Sequence, residues 1–322
     1  MSHEFQQGFF SNKQPAWHKL GTVLDGCPDY DTAIKLSGAD RLVEKRELYY
    51  ETSSGIYAPV DSHVVNIRGD IQMGVVGRRY EIVQDTEAFA FVKPLLDDGT
   101  LTLDAGVSLR DGRTFCLTAK MANGQADVLP GDEQRLYLVL SNSHDGTSPV
   151  SIGFTSIRVV CMNTNRMFLQ GTQAGDNHSL RMKHTRSVHL GIETARETID
   201  VIQQTWHADL DVFRRMAIKT MSGLEFSRFA RKLITPTNQE EPITDLHGKT
   251  RKALETLEAN FVAFDGPTEA TGTAWAAYNA VTSYVDHDRY ADERKAFEFS
   301  WNGAGQDMRE SALALLTVVV AS

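Results

Sequence analysis

The chain has 322 residues, a formal net charge of −9, 41% hydrophobic residues and 23% charged residues. That length suits one large domain or two ordinary ones, and the balance is that of a globular protein and not of a disordered one. Net acidity counts against a generally basic nucleic-acid binder, but it leaves room for a basic patch on an acidic body. No apolar run reaches the roughly 18 residues a spanning helix needs. The opening MSHEFQQGFFSNKQPAWHKLG lacks the cationic start and apolar core of a signal peptide. The three cysteines, Cys27, Cys116 and Cys161, include no CxxC pair, which argues against a disulfide framework and against a cysteine zinc site. The expectation is a cytoplasmic protein with no membrane partner.

Residues 1–30 read as an irregular lead-in holding Pro15, Gly21, Gly26 and Pro28, after which Asp31 caps a short helix, Thr32–Ser37. Strand patterns follow at Leu42–Thr52, Ile56–Val60, His63–Arg68 and Ile71–Val76, with turns at Gly55 and Gly69-Asp70. Asp85 is read as the cap of a helix that ends near Pro94. Four more strands are predicted at Leu101–Leu109, Arg113–Met121, Arg135–Asn142 and Pro149–Met162, the first two joined at Asp111-Gly112. Beyond Gly175 the period changes. Val188, Ile192, Ala195, Ile199, Ile202 and Trp206 form a heptad-like seam on a long helix that continues to Leu210 and Phe213. Further helices are predicted at Leu224–Leu233, Gly248–Phe264, Gly272–Tyr284, Ala291–Glu298 and Met308–Val319. Strands segregated from helices predict an α+β fold, with antiparallel hairpins in a β-rich domain over 1–175 and a helical region over 176–322.

The most loaded stretch runs from Leu138 to Arg166. Asn142, Ser143, His144, Asp145 and Gly146 form a polar turn between two strands. His and Asp in a turn can serve as general acid and base, although the same residues are ordinary turn formers. A Cys161–His144 nucleophile is disfavoured, because a straight strand separates the two by roughly 40 Å. Alternation places Arg158 with Val150, Ile152 and Phe154 on an apolar face, and Arg113 with Phe115, Leu117 and Met121. An arginine there needs a carboxylate, an anionic ligand or a route to solvent.

From Ser151 to Leu190 the charges are Arg158, Arg166, Arg181, Lys183 and Arg186 against Asp176 alone. The tract runs into the start of the long helix, where cations oppose the helix dipole and a phosphate would be welcome. A solvated basic loop explains the same run. Tyr49, Tyr50, Tyr57 and Tyr80 lie among Lys45, Arg46, Arg78 and Arg79. Aromatics beside cations can stack on unpaired bases, but ordinary strand packing is the favoured reading of these four. His184 and His189 are five apart, HExxH is missing, and so are GxxxxGK[ST] and GxGxxG. No metal site and no cofactor is therefore expected.

The blocks PAWHKLG, GVVGRRYEIVQDTEAF, SNSHDGTSPV, IRVVCMNT and TAWAAYNAVTSYVDH occur in this order across nearly the whole chain. Together they resemble the phage- and plasmid-like proteins of domain of unknown function 932, with Lys19 where a glycine or small residue is expected. That family carries no activity or catalytic residues to transfer. Its mobile-element setting implies business with nucleic acid, and a hairpin-rich sheet followed by helices is loosely similar to single-strand annealing proteins. Three functions are thus expected in order. The first is nucleic-acid binding through Arg158, Arg166, Arg181, Lys183 and Arg186 with Arg78 and Arg79, with single-stranded DNA in recombination or replication as the expected setting. The second is an enzyme with a polar site of Asn142, His144 and Asp145, joined by Arg113 or Arg158. The third is a homo-oligomer or partner-binding scaffold assembled through the 188–213 helix.

Overall fold

Alternating apolar residues and glycine-bearing turns fold the N-terminal half into antiparallel strands, and the 3.6-residue period that follows folds the C-terminal half into helices: the protein is α+β. The computed structural model describes residues 5–10, 22–158, 163–166, 179–235, 246–290, 299 and 304–321. The strands are β1 (Phe5–Phe10), β2 (Thr22–Val23), β3 (Glu44–Glu51), β4 (Tyr57–Arg68), β5 (Ile71–Gly77), β6 (Leu101–Leu109), β7 (Thr114–Asp127), β8 (Glu133–Ser143), β9 (Val150–Arg158), β10 (Asn163–Arg166) and β11 (Ser179–Met182). Short helices α1 (Tyr30–Leu36), α2 (Asp85–Ala88) and α3 (Lys93–Asp97) lie between them. The C-terminal helices are α4 (Val188–Ile218), α5 (Gly223–Ile234), α6 (Gly248–Val262), α7 (Ala274–Ser283) and α8 (Ala304–Ala321). No described helix is long and apolar enough to cross a membrane.

One sheet has the order β10-β9-β8-β7-β6-β1-β2, with β11 also pairing β9, and a second has the order β3-β4-β5. The chain divides into two compact units, one of residues 1–123, 137–154 and 171–202, the other of 124–136, 155–170 and 203–322. In the first unit, Leu101 and Leu103 of β6 and Phe115 and Leu117 of β7 are buried, and so are Val64, Met73 and Val76 of the three-stranded sheet. In the second, Phe213, Trp275 and Tyr278 form an aromatic cluster, and the Trp275 indole Nε1 donates to buried Asp132 at 2.7 Å. Phe226 of α5 stacks on Phe261 of α6 at 4.2 Å.

Several local expectations change. The α1 cap is Asp29, whose carboxylate accepts from Thr32 N at 2.8 Å, and not Asp31. Gln84 precedes α2 and Asp85 is its first residue, so Asp85 does not cap it. The β6–β7 turn takes positive φ at Arg110 and Asp111 as well as at Gly112. The strand expected over Pro149–Met162 is described as β9 only to Arg158, which pairs antiparallel with Asn163 of β10. Along the α4 seam the described positions Val188, Ile192, Trp206, Leu210 and Phe213 are buried within the chain. Cys161 and the helix expected at 291–298 lie outside the described residues.

Candidate functional site

Asn66 and Arg68 sit two apart on β4, so they point to one side of the strand. The side is the buried one, and each polar group there needs a partner. Asn66 Nδ2 donates to the His144 carbonyl at 2.8 Å. Arg68 Nη1 donates to the Gly112 carbonyl at 3.0 Å, and Nη2 meets Asp85 Oδ2 at 2.6 Å. The other Asp85 oxygen accepts from Asn142 Nδ2 at 2.8 Å and from His144 Nε2 at 3.0 Å. Asn142 Nδ2 also donates to the Val83 carbonyl, and His144 N to the Arg113 carbonyl. One carboxylate thus gathers β4, α2 and β8 of the first unit.

Burial pushes the Asp85 carboxyl up, but the neighbouring His144 and Arg68 and their hydrogen bonds outweigh it and hold Asp85 below the usual carboxylate range. Because a carboxylate only accepts, the His144 Nε2 carries the proton in that bond. The side chains of Asp85 and His144 have no exposed surface. A general acid or base must reach its reactant, so in this geometry the dyad serves as an internal brace.

The polar turn therefore splits. Asn142 and His144, which the sequence grouped with Asp145, converge instead on Asp85. Asp145 turns the other way: its Oδ1 accepts from Ser143 Oγ at 2.5 Å, from Thr147 N at 2.9 Å and from Thr147 Oγ1 at 2.5 Å, and Oδ2 meets Arg110 at 3.3 Å. Arg113 touches the brace through its backbone carbonyl only, and its buried Nε has no partner among the described residues. Asp85, Arg68 and Asn66 went unnominated. The alternation rule applied to Arg113 and Arg158 would have flagged Arg68 as well, on the same face as Val64.

The turn also receives the three-stranded sheet. A Cβ on Gly74 of β5 would lie 2.6 Å from Asp145 Cα and 2.8 Å from its carbonyl oxygen. Backbone cannot yield as a side-chain tip can, so Gly74→Ala is expected to cost about 1–3 kcal/mol in urea unfolding. A change within about 0.5 kcal/mol would show that the strand shifts freely.

Beside this brace lies a surface cleft of about 1060 Å³, lined by Ser62, Gly77, Arg78, Arg79, Tyr80, Glu81, His184, Thr185 and Arg186. Two short segments build it. Glu81 N donates to the His184 carbonyl at 2.9 Å, and the His184 Nδ1 meets the Glu81 carbonyl at 3.0 Å. Tyr80 stacks on the His184 ring at 4.5 Å, and its hydroxyl donates to the Ser143 carbonyl at 2.7 Å. A carbonyl only accepts, so Nδ1 carries the His184 proton and Nε2 is a lone-pair acceptor. That Nε2 is buried and has no partner among the described residues. Burial pushes the His184 pKa down to about 4, so the ring is neutral at pH 7. Burial also pushes the Tyr80 hydroxyl up, with Asp145 and Asp85 adding to it.

Three of the nominated cations, Arg78, Arg79 and Arg186, come together in this cleft. Arg78 is engaged: it forks onto the Glu47 carboxylate, with Nη1 at 3.0 Å, and donates to the Val60 carbonyl. Arg79, Lys183 and Arg186 are exposed. The backbone places Arg158 on β9, Arg166 on β10 and Arg181 on β11, but their side chains lie outside the described ones.

No curated protein and no solved structure matches the chain. A family match begins in β5 and ends in α8, and so takes in the Asp85–His144 dyad and the cleft lining other than Ser62, but leaves β3 and β4 outside. The matching family is described as Domain of unknown function (DUF932) and covers residues 72–310, more than half of the 322 residues, and the chain belongs to that family.

Proposed function

We propose that this protein binds nucleic acid, with the phosphate backbone held in the cleft by Arg79 and Arg186. The observation that carries the reading is the convergence of cations from two distant stretches, 78–79 and 186, on one concave surface of an otherwise acidic chain. Local positive potential on an acidic body directs a polyanion to one place. Arg186 stands just before α4, whose first amides add partial positive charge. The phage and plasmid setting that the sequence resemblance implies, with roles in recombination or replication, belongs to the same reading.

The test is anisotropy of a labelled oligonucleotide titrated at several salt concentrations. Affinity should fall steeply with salt, because phosphate contacts release counterions. The double variant Arg79→Ala/Arg186→Ala should bind at least about tenfold more weakly at low salt, and its log–log salt slope should be shallower by about 1.4, the release expected for two single-strand contacts. Absence of binding by the unmodified protein at low salt, or an unchanged slope in the variant, rules the reading out.

A further inference from the structure

We infer that Tyr49 and Tyr57, at the turn end of the β3–β4 hairpin, form a stacking surface for unpaired bases, which makes the ligand of the neighbouring arginine cleft a single strand. The inference rests on the proposed nucleic-acid binding and adds a second element to it. Tyr49, Tyr50 and Tyr57 are 60%, 54% and 69% exposed. More than half of each residue is in water, so the strand packing that explains tyrosines elsewhere does not explain these. None has a ring contact among the described residues, whereas Tyr80 stacks on His184.

The register puts two of them side by side. Tyr49 pairs with Pro59 and Glu51 with Tyr57, so Tyr49 and Tyr57 share one face as diagonal neighbours, and Tyr50, opposite Ala58, takes the other. Ile56, in the hairpin turn, is also exposed. Such a group of large apolar side chains on a hairpin marks a contact surface.

Three observations choose the occupant. First, the hairpin is continuous with the cleft. Arg78, which lines it, is clamped to Glu47 of β3 and to the Val60 carbonyl of β4, and Arg78 N donates to the carbonyl of Ser62, another lining residue. Tyr57 and Ser62 are five residues apart on β4, at most roughly 17 Å, since the register shift between Pro59 and Val64 shortens the strand there. A strand with its phosphates at Arg79 and Arg186 thus has a wall of tyrosine within reach. Second, the ring faces accept any base, since every base has a π-face. A paired base hides that face inside the duplex stack. Third, β3 guards its free edge against strand-to-strand pairing with a second copy, through the charged run Glu44, Lys45, Arg46 and Glu47. The tyrosines lie beyond that run, so they are left open to a ligand that stacks and not to one that extends the sheet.

The experiment compares three labelled probes at low salt: an oligo-dT, an abasic strand of the same length, and a duplex. The unmodified protein should bind oligo-dT more tightly than either of the others. Tyr49→Thr/Tyr57→Thr keeps β-propensity and removes both rings. It should lose at least about fivefold on oligo-dT, little on the abasic strand, and nothing in salt slope. Tyr49→Phe/Tyr57→Phe should bind as the unmodified protein does. Equal loss on dT and abasic strands, or no loss on dT, overturns the stacking surface while leaving the arginine cleft standing. A changed oligomeric state with unchanged dT affinity also overturns it, in favour of a second copy as occupant. No binding of any probe by the unmodified protein overturns the cleft and the stacking surface together.

Discussion

Asp85→Ala will destabilise the protein by about 3–5 kcal/mol, the usual result of removing one member of a buried charge pair. The Arg68 guanidinium would be left buried with its charge uncompensated, and the Asn142 amide and His144 Nε2 would lose their shared acceptor. The effect follows from desolvation more than from the attraction itself. Side-chain exposure is 4% for Arg68 and nil for Asp85, so water cannot take the place of the lost carboxylate. The internal control is Lys93–Asp31, an ion pair at 3.2 Å whose side chains are 50% and 71% exposed. Its removal by Lys93→Ala should cost less than about 1 kcal/mol. Replacing both members of the buried pair, as Arg68→Met/Asp85→Leu, should cost less than the two single changes added together, because neither charge is then stranded. Urea unfolding measures all three. An Asp85→Ala variant no weaker than Lys93→Ala would show that the pair is not buried in solution as it is here. Since whole domains are stable by about 5–15 kcal/mol, the loss expected for Asp85 is a large fraction of the total.

Stability will also fall as the pH drops from about 6.5 to about 4, and His184 is the cause. Burial holds its pKa near 4 in the folded protein, against about 6.5 for an unfolded histidine. Between those values the unfolded chain binds the proton and the folded one does not, so acid favours unfolding there. The contribution is fully present above about pH 6.5 and amounts to up to about 3 kcal/mol across the window. Asp85 acts in the same direction at lower pH. Its folded pKa lies below the ordinary carboxylate value, so its share is present above that value and is lost as the pH falls through the folded one. His184→Phe fills the place with a ring that can stack on Tyr80 but cannot take up a proton. Its stability should be flat through the upper window and fall only in the lower. Parallel curves for the two proteins between pH 6.5 and 4 would remove His184 as the titrating group.

Much of the architecture is legible in the pattern of residues. The strand expected at Leu101–Leu109 has both of its expected ends, and Gly69 takes the positive φ of the predicted β4–β5 turn. The helical periods of α5 and α6 agree with the structure within a few residues. These are local matters, decided by side-chain direction, turn conformation and backbone freedom within a few residues. Asp85 shows where local reasoning stops. An acidic residue at the start of a helix looks the same whether it caps the helix or turns inward, and only the arrival of Arg68, Asn142 and His144 from other elements decides between the two.

The polar turn at 142–145 shows the same division. The sequence by itself determined that a polar turn follows a strand here, at His144 and Asp145, although Asn142 and Ser143, expected in the turn, are the last residues of β8, and that the chain is acidic with its cations grouped locally. Only the tertiary structure decided that alternate residues of that turn part company, Asn142 and His144 inward to Asp85 and Asp145 outward to Thr147 and Arg110. It alone also brought Arg186 to Arg78 and Arg79, and left Tyr49 and Tyr57 uncovered. The physical reason is that burial and charge proximity belong to pairs of residues far apart in the chain, and spacing along the sequence does not encode which of them meet.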